Sequence, residues 1–273
     1  MNEPNVRSGR RGARAEPSHS PEDAHPGVLP NLIIIGAMKC STTALHRYLD
    51  LHPDIAMSEP KELNFFCGPE HYEDPGEPAA RSAGNWHRGV SWYATQFRPA
   101  PVRGEASPGY TSPSFTEAAD RMARVVPDAR LVYAVRDPIE RAVSQYLHHR
   151  ADGTERRPVE EALIDPQSQY LERSRYHERL EPYLARFPRE QILICAQEDL
   201  WSSRRTTLRS LYRFAGVDDL FWSSDHALCW NVARGEATVS LDMSLRRRLR
   251  AELSDDAARL RELTGQEFAG WQL

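Results

Sequence analysis

Lysine is almost missing from this chain: of 35 basic residues only Lys39 and Lys61 are lysines, and every other one is arginine. Codon usage in a GC-rich genome accounts for that bias in general. It does not account for both lysines falling in one short stretch, where a compact ammonium on a flexible stem does what a guanidinium fork cannot. Other absences exclude whole classes. The longest uninterrupted aliphatic run, Leu32 to Ile35, is far too short to span a bilayer. No early segment joins a basic start to an apolar core, so no secretory signal is expected, and the expected location is cytoplasmic. The four cysteines, Cys40, Cys67, Cys195 and Cys229, lack metal-ligand spacing and are expected as reduced thiols. A formal net charge of -4 argues against nucleic acid as the main partner.

What is present suffices for one α/β domain of 273 residues. Residues 1–29 are rich in Pro, Gly, Ser, Arg and His and poor in large aliphatics, which predicts a disordered tail followed by a domain over 30–273. The tail's basic and acidic residues balance, so it is no polybasic membrane anchor. Order is expected from Asn31. Leu32-Ile33-Ile34-Ile35 and Leu131-Val132-Tyr133-Ala134-Val135 read as buried parallel strands, with shorter strands at 55–57, 102–105 and 191–195. Apolar spacing predicts helices opening at Thr42, over 90–97, over 138–149, over 168–187 and over 206–214, the last closed by Gly216. Leu245, Leu249 and Leu253 share a further helical face, and Ser254 is placed as the cap of a last helix reaching Leu263. Residues 67–86 read as a long surface loop. Strands alternating with helices predict a single P-loop-like domain, its central mainly parallel sheet flanked by helices.

Gly36-Ala37-Met38-Lys39-Cys40-Ser41-Thr42-Thr43 lies between a buried strand and a helix. Such a turn aims unpaired amides and the positive end of the helix dipole into the loop. Lys39 adds a full charge, and Ser41, Thr42 and Thr43 add hydroxyl donors, so the segment suits a phosphate or phosphosulfate. An ordinary strand-to-helix turn with a threonine cap is the other reading. It is not a triphosphate loop of the G-x-x-x-x-G-K-[ST] kind, because Lys39 comes three residues before Thr42 and no glycine follows it. No strand ends in an isolated acid suited to Mg²⁺, which favours a chemistry without an essential metal.

Arg136 leaves the carboxyl end of the second buried strand, where open α/β sheets bind ligands. Asp137 suits a cap and Pro138 the first helical turn. With Ser144, two turns on, Arg136 can form a second anion clamp; pairing with a structural acid is the alternative. Glu59 and Glu62 precede Leu63-Asn64-Phe65-Phe66, and a carboxylate beside aromatic bulk can be desolvated toward the pKa of a general base. Read blandly, both are solvated surface acids.

These pieces, in this order, resemble the sulfotransferases that use 3′-phosphoadenosine 5′-phosphosulfate (PAPS), especially the heparan-sulfate sulfotransferase-like branch and its bacterial relatives. The Gly36–Leu45 segment is similar to the family's 5′-phosphosulfate loop, and Val135-Arg136-Asp137-Pro138 through Arg141, Ser144 and Tyr146 to its 3′-phosphate element. Pro60-Lys61-Glu62-Leu63-Asn64-Phe65-Phe66 resembles the segment carrying the catalytic glutamate, which falls on Glu62. Gly104-Glu105-Ala106-Ser107-Pro108-Gly109-Tyr110 resembles a further landmark, and Asn231 with Arg234-Gly235 a late loop that closes over the nucleotide. The resemblance implies PAPS as cosubstrate with no metal, held by Lys39, Cys40, Ser41, Thr42, Thr43, Arg136, Ser144, Arg234 and Gly235. It implies Glu62 as base and Lys39 as the group that neutralises the departing phosphate.

Two departures bear on this. Relatives often carry glycine where Ser41 stands, and many carry lysine where Ala106 stands, near the acceptor. Loss of that cation favours a small, less charged acceptor, such as a secondary metabolite or simple glycoside, and Trp86, Trp92, Tyr93 and Tyr110 are candidates to line its pocket or to fill the core. Two rival readings are a P-loop small-molecule or nucleotide kinase and a non-catalytic binding protein of the same fold.

Overall fold

The computed structural model describes residues 27–69, 84–165, 168–228 and 239–273. Five strands, β1 (Leu32–Gly36), β2 (Ile55–Met57), β3 (Val102–Ala106), β4 (Arg130–Val135) and β5 (Ile192–Ala196), form one sheet in the order β2-β3-β1-β4-β5. Every neighbouring pair is parallel. The α-helices are α1 (Thr42–Asp50), α2 (Gly89–Ala94), α3 (Ala118–Val125), α4 (Pro138–Ala151), α5 (Val159–Ala162), α6 (Gln169–Glu172), α7 (Tyr176–Leu184), α8 (Gln197–Ser202), α9 (Arg204–Ala215) and α10 (Met243–Thr264). The expected α/β class with a parallel sheet is what forms.

The sheet forms around two strands, β1 and β4, that have no polar face. All of β1 and all but the first residue of β4 are buried, as a sheet covered by helices on both sides requires. The chain goes from β1 to the edge strand β2, returns to β3 beside β1, then crosses to β4 on the other side. This leaves a crevice at the carboxyl ends of β1 and β4, where open parallel sheets bind ligands. The main core packs on the sheet. A second apolar cluster joins α4 to α10 through Ile139, Ala142, Val143, Leu245, Leu249 and Leu253.

Termini of the elements follow side-chain chemistry. Asp137 caps α4, its Oδ1 accepting from the amides of Ile139 at 2.9 Å and Glu140 at 3.0 Å, with Pro138 in the first turn. Gly216, left-handed at φ 82°, closes α9 as expected. Gly36 is needed for a different reason: a Cβ there would stand 2.2 Å from Thr111 Oγ1.

Three expectations change. Residues 168–187 are two helices, α6 and α7, not one. Ser174 breaks the run because its hydroxyl turns inward, accepting from Arg141 Nε at 2.6 Å and lying 2.9 Å from Pro138 O. Ser254 does not cap a helix; it lies inside α10 and donates to Arg250 O at 2.6 Å, while Asp242 supplies the cap. The leucine periodicity was continuous across that serine, and periodicity prevails over a local cap preference. Finally, Val28 and Leu29 pack against the core ahead of Asn31. The rest of the expected tail (1–26), most of the expected loop (70–83) and the late loop with Asn231, Arg234 and Gly235 lie outside the described residues. Among the described residues, no helix is long and apolar enough to cross a membrane.

Candidate functional site

The turn after β1 is built to meet an anion. Lys39 and Ser41 both take positive φ, 70° and 59°, a left-handed pattern that turns successive amides to one side. No acceptor among the described residues meets the amides of Lys39, Ser41, Thr42 or Thr43. Helix α1 starts without a side-chain cap and without an acid in its first turn, so its dipole faces the loop uncompensated. Lys39 is half-buried and forms no ion pair among the described residues. Thr42 is buried and Thr43 half-buried. Ser41, which stands where a glycine was expected, is tied down instead: its hydroxyl donates to Gln197 Oε1 at 2.7 Å, anchoring the left-handed residue to the start of α8. Cys40 turns its side chain into the core, where burial pushes the thiol up to about 11.

The second anion element stands beside the first because β1 and β4 are neighbours. Tyr176 joins them: its hydroxyl accepts from the Arg136 amide at 3.3 Å and lies 3.5 Å from Cys40 Sγ. Among the described residues the Arg136 guanidinium has one distant acid, Glu140 at 4.0 Å, which leaves most of its charge uncommitted there. Arg141, four residues after the cap, is wholly buried and acts as a brace. It donates to Ser174, to Gln145 Oε1 at 2.7 Å and to Tyr170 O at 2.6 Å, and burial holds its guanidinium below the usual range. Ser144 lies further along α4, half-buried, with no hydrogen bond to Arg136. Arg173 adds a cation that sequence reasoning missed. Its Nη2 donates to Ser112 Oγ at 2.8 Å and its Nη1 meets Met38 Sδ at 3.8 Å, on the loop itself. Burial lowers this guanidinium to about 10, and no carboxylate among the described residues pairs with it. Lys39, Arg136 and Arg173 thus set three positive charges, none close-paired among the described residues, at or beside the loops after β1 and β4.

Glu62 is brought to the loop by the other lysine. Lys61 Nζ donates to Glu62 Oε1 at 2.6 Å and to Thr42 Oγ1 at 3.4 Å, bridging the carboxylate to the start of α1. The carboxylate itself is half-exposed, with side-chain exposure of 48%. Phe65 and Phe66 therefore do not desolvate it; the buried acid nearby is Glu105, in β3. Tyr93 and Tyr110 are core residues, not pocket walls: both donate to Glu105 Oε1, Tyr110 at 2.7 Å, while Ser107 Oγ donates to Oε2 at 2.9 Å. Trp86 and Trp92 pack around Phe65 in the same cluster. Burial lifts the Glu105 carboxyl to about 7, against three hydroxyl donors that favour its charged form.

The structure therefore gathers Lys39, Ser41, Thr42, Thr43, Arg136 and Glu62 at one end of the sheet. Tyr176, Arg173 and Gln197 were not found from sequence, since each reaches the site through contacts over 40 to 156 positions. A crevice of free amides and uncommitted cations, with a carboxylate at its rim, can hold a substrate carrying several negative charges and remove a proton from a second one.

Comparison with known proteins gives this geometry a context. The profile of the Sulfotransferase family matches residues 30–222. Heparan sulfate glucosamine 3-O-sulfotransferase 3B1 of Mus musculus is 28% identical over 274 residues, covering 89% of this chain and 65% of that protein. Bifunctional heparan sulfate N-deacetylase/N-sulfotransferase 3 of Homo sapiens is 30% identical over 215 residues, or 69% of this chain; the match spans only 22% of that protein's length. Among solved structures, a sulfotransferase from Alicyclobacillus acidocaldarius superposes with a TM-score of 0.74 at 28% identity, covering 89% of this chain and 99% of that one.

Proposed function

The chain belongs to the sulfotransferase family, and from that premise we propose that it transfers a sulfuryl group from PAPS to a hydroxyl or amine of a small acceptor. The single observation that carries the reading is the unsatisfied anion crevice between β1 and β4. Its free amides at Lys39, Ser41, Thr42 and Thr43 suit a 5′-phosphosulfate, and Arg136, with Ser144 on the helix it precedes, suits a 3′-phosphate. Family membership takes away the footing of the kinase alternative.

PAPS supplies an activated sulfuryl group whose departing end is a phosphate. Glu62 accepts the proton of the acceptor hydroxyl or amine as that atom bonds to sulfur. The bond from sulfur to the bridging phosphate oxygen breaks, and its electron pair stays on that oxygen, where Lys39 meets the growing charge. Lys61 links Glu62 to Thr42 through its ammonium. As in phosphoryl transfer, positioning and electrostatics account for most of the acceleration. The acceptor is a secondary metabolite or simple glycoside: Ala106, fully buried at the end of β3, brings no cation for a polyanion.

Thermal shift tests the nucleotide half of this reading. The product 3′-phosphoadenosine 5′-phosphate (PAP) is expected to raise Tm in the presence of a chelator, and ATP with Mg²⁺ to change it little. Stabilisation by ATP–Mg²⁺ with none by PAP would overturn the assignment.

A further inference from the structure

Strand β3 ends in a carboxylate that the core surrounds on all sides. Glu105 is fully buried, and no lysine, arginine or histidine among the described residues forms an ion pair with it. An unpaired buried charge is costly, so its oxygens are satisfied by hydroxyls alone: Tyr93 and Tyr110 on Oε1, Ser107 on Oε2. Each hydroxyl owns one proton. Once that proton is committed to Glu105, the oxygen's lone pairs have a fixed direction, and in two of the three cases they receive a backbone amide. Ser107 Oγ accepts from Asn64 N at 2.9 Å, and Tyr110 Oη accepts from Phe65 N at 3.0 Å.

Those amides belong to the segment that carries Glu62. Asn64 is left-handed, at φ 46°, a conformation that asparagine adopts more readily than most residues. On the other side of Glu62 the same strand end holds Lys61 O, which accepts from Ala106 N at 3.4 Å and from Ser58 Oγ at 3.3 Å. Phe65 is clamped further by stacking on Tyr93, centroids 4.1 Å apart and 8° from parallel. Glu105, Ala106 and Ser107 therefore grip the chain before and after the candidate base.

We propose that Glu105 is a positioning residue: through the hydroxyls of Ser107 and Tyr110 it sets the backbone that places Glu62 against the acceptor. The proposal rests on the reading of Glu62 as the base. Replacing Glu105 by glutamine keeps the volume but makes one oxygen a donor. A hydroxyl facing that donor must accept from it and turn its own proton away from residue 105, which removes the tie that fixes the hydroxyl's direction toward the amide.

The test compares the full-length protein with Glu105→Gln, Glu62→Gln and the double variant. It follows turnover of PAPS with the best acceptor from a panel of phenols, alcohols, amines and simple glycosides, PAP affinity by calorimetry, and Tm. Glu105→Gln alone is expected to lower kcat by about 10- to 100-fold, with PAP affinity unchanged. In the Glu62→Gln background it is expected to cost little more, because the group it positions is already gone. If Glu105→Gln lowers Tm but leaves kcat intact, or costs as much in the Glu62→Gln background as alone, the positioning role is wrong while the base reading stands. If Glu62→Gln itself retains kcat, the base reading fails and the proposal falls with it. Tyr110→Phe removes the same relay to Phe65 N while keeping the ring, and is the arm that decides if Glu105→Gln does not fold: a smaller kcat loss, abolished in the Glu62→Gln background, supports the proposal, and an undiminished kcat overturns it.

Discussion

Glu62→Gln is expected to reduce sulfuryl transfer by about 10²- to 10⁴-fold while leaving PAP affinity unchanged. The substitution is nearly isosteric and removes the basic lone pair that would take the acceptor's proton. It also weakens the contact with Lys61, whose ammonium still reaches Thr42 Oγ1 at 3.4 Å. That residual tether is why nucleotide binding should survive: the free amides of the loop and Arg136 do not depend on the carboxylate. The measurement is single-turnover transfer alongside calorimetric titration with PAP. A variant that loses PAP affinity in step with rate would mean that Glu62 shapes the nucleotide site and is not the base.

Lys39→Ala is expected to lower turnover by about 10²- to 10³-fold, the cost of removing one preorganised charge from a developing oxyanion. Lys39→Arg is expected to recover little of it. Lys39 sits at φ 70°, so alanine and arginine meet the same backbone constraint and differ only in what they present to the crevice. A guanidinium is planar and broad, and its charge is spread over a fork, whereas the bridging oxygen calls for a compact donor on a flexible stem. Full rescue by arginine would show that any cation serves there and would remove the significance of the two surviving lysines.

How much of this was legible in the sequence depends on distance along the chain. The Leu32–Ile35 and Leu131–Val135 runs gave the sheet and the loops that follow its strands, because burial on both faces leaves an unbroken aliphatic signature. Lys39, Thr42, Thr43 and Arg136 were found because each lies next to a strand end. The site's other half was hidden. Tyr176 and Arg173 fall in what reads as a single helix over 168–187, and only the inward turn of Ser174 onto Arg141 separates α6 from α7. The glycine position filled by Ser41 made no sense alone, since the partner that holds its left-handed backbone is Gln197, 156 positions away. Phe65 and Phe66 were read as desolvating Glu59 or Glu62, yet both glutamates are exposed, and the buried carboxylate is Glu105, held by Tyr93 and Tyr110. Local pattern identifies which residues are apolar; it does not say which acid the sheet order will place among them.

Whether this site delivers a sulfuryl group is decided chemically. The protein is incubated with PAPS, without added metal and with a chelator, against the panel of phenols, alcohols, amines and simple glycosides, and products are read by mass spectrometry. The expected product is an acceptor heavier by one sulfo group, formed together with PAP in equal amount. No sulfonated product from any acceptor, although PAPS is bound, overturns the claim of sulfuryl transfer.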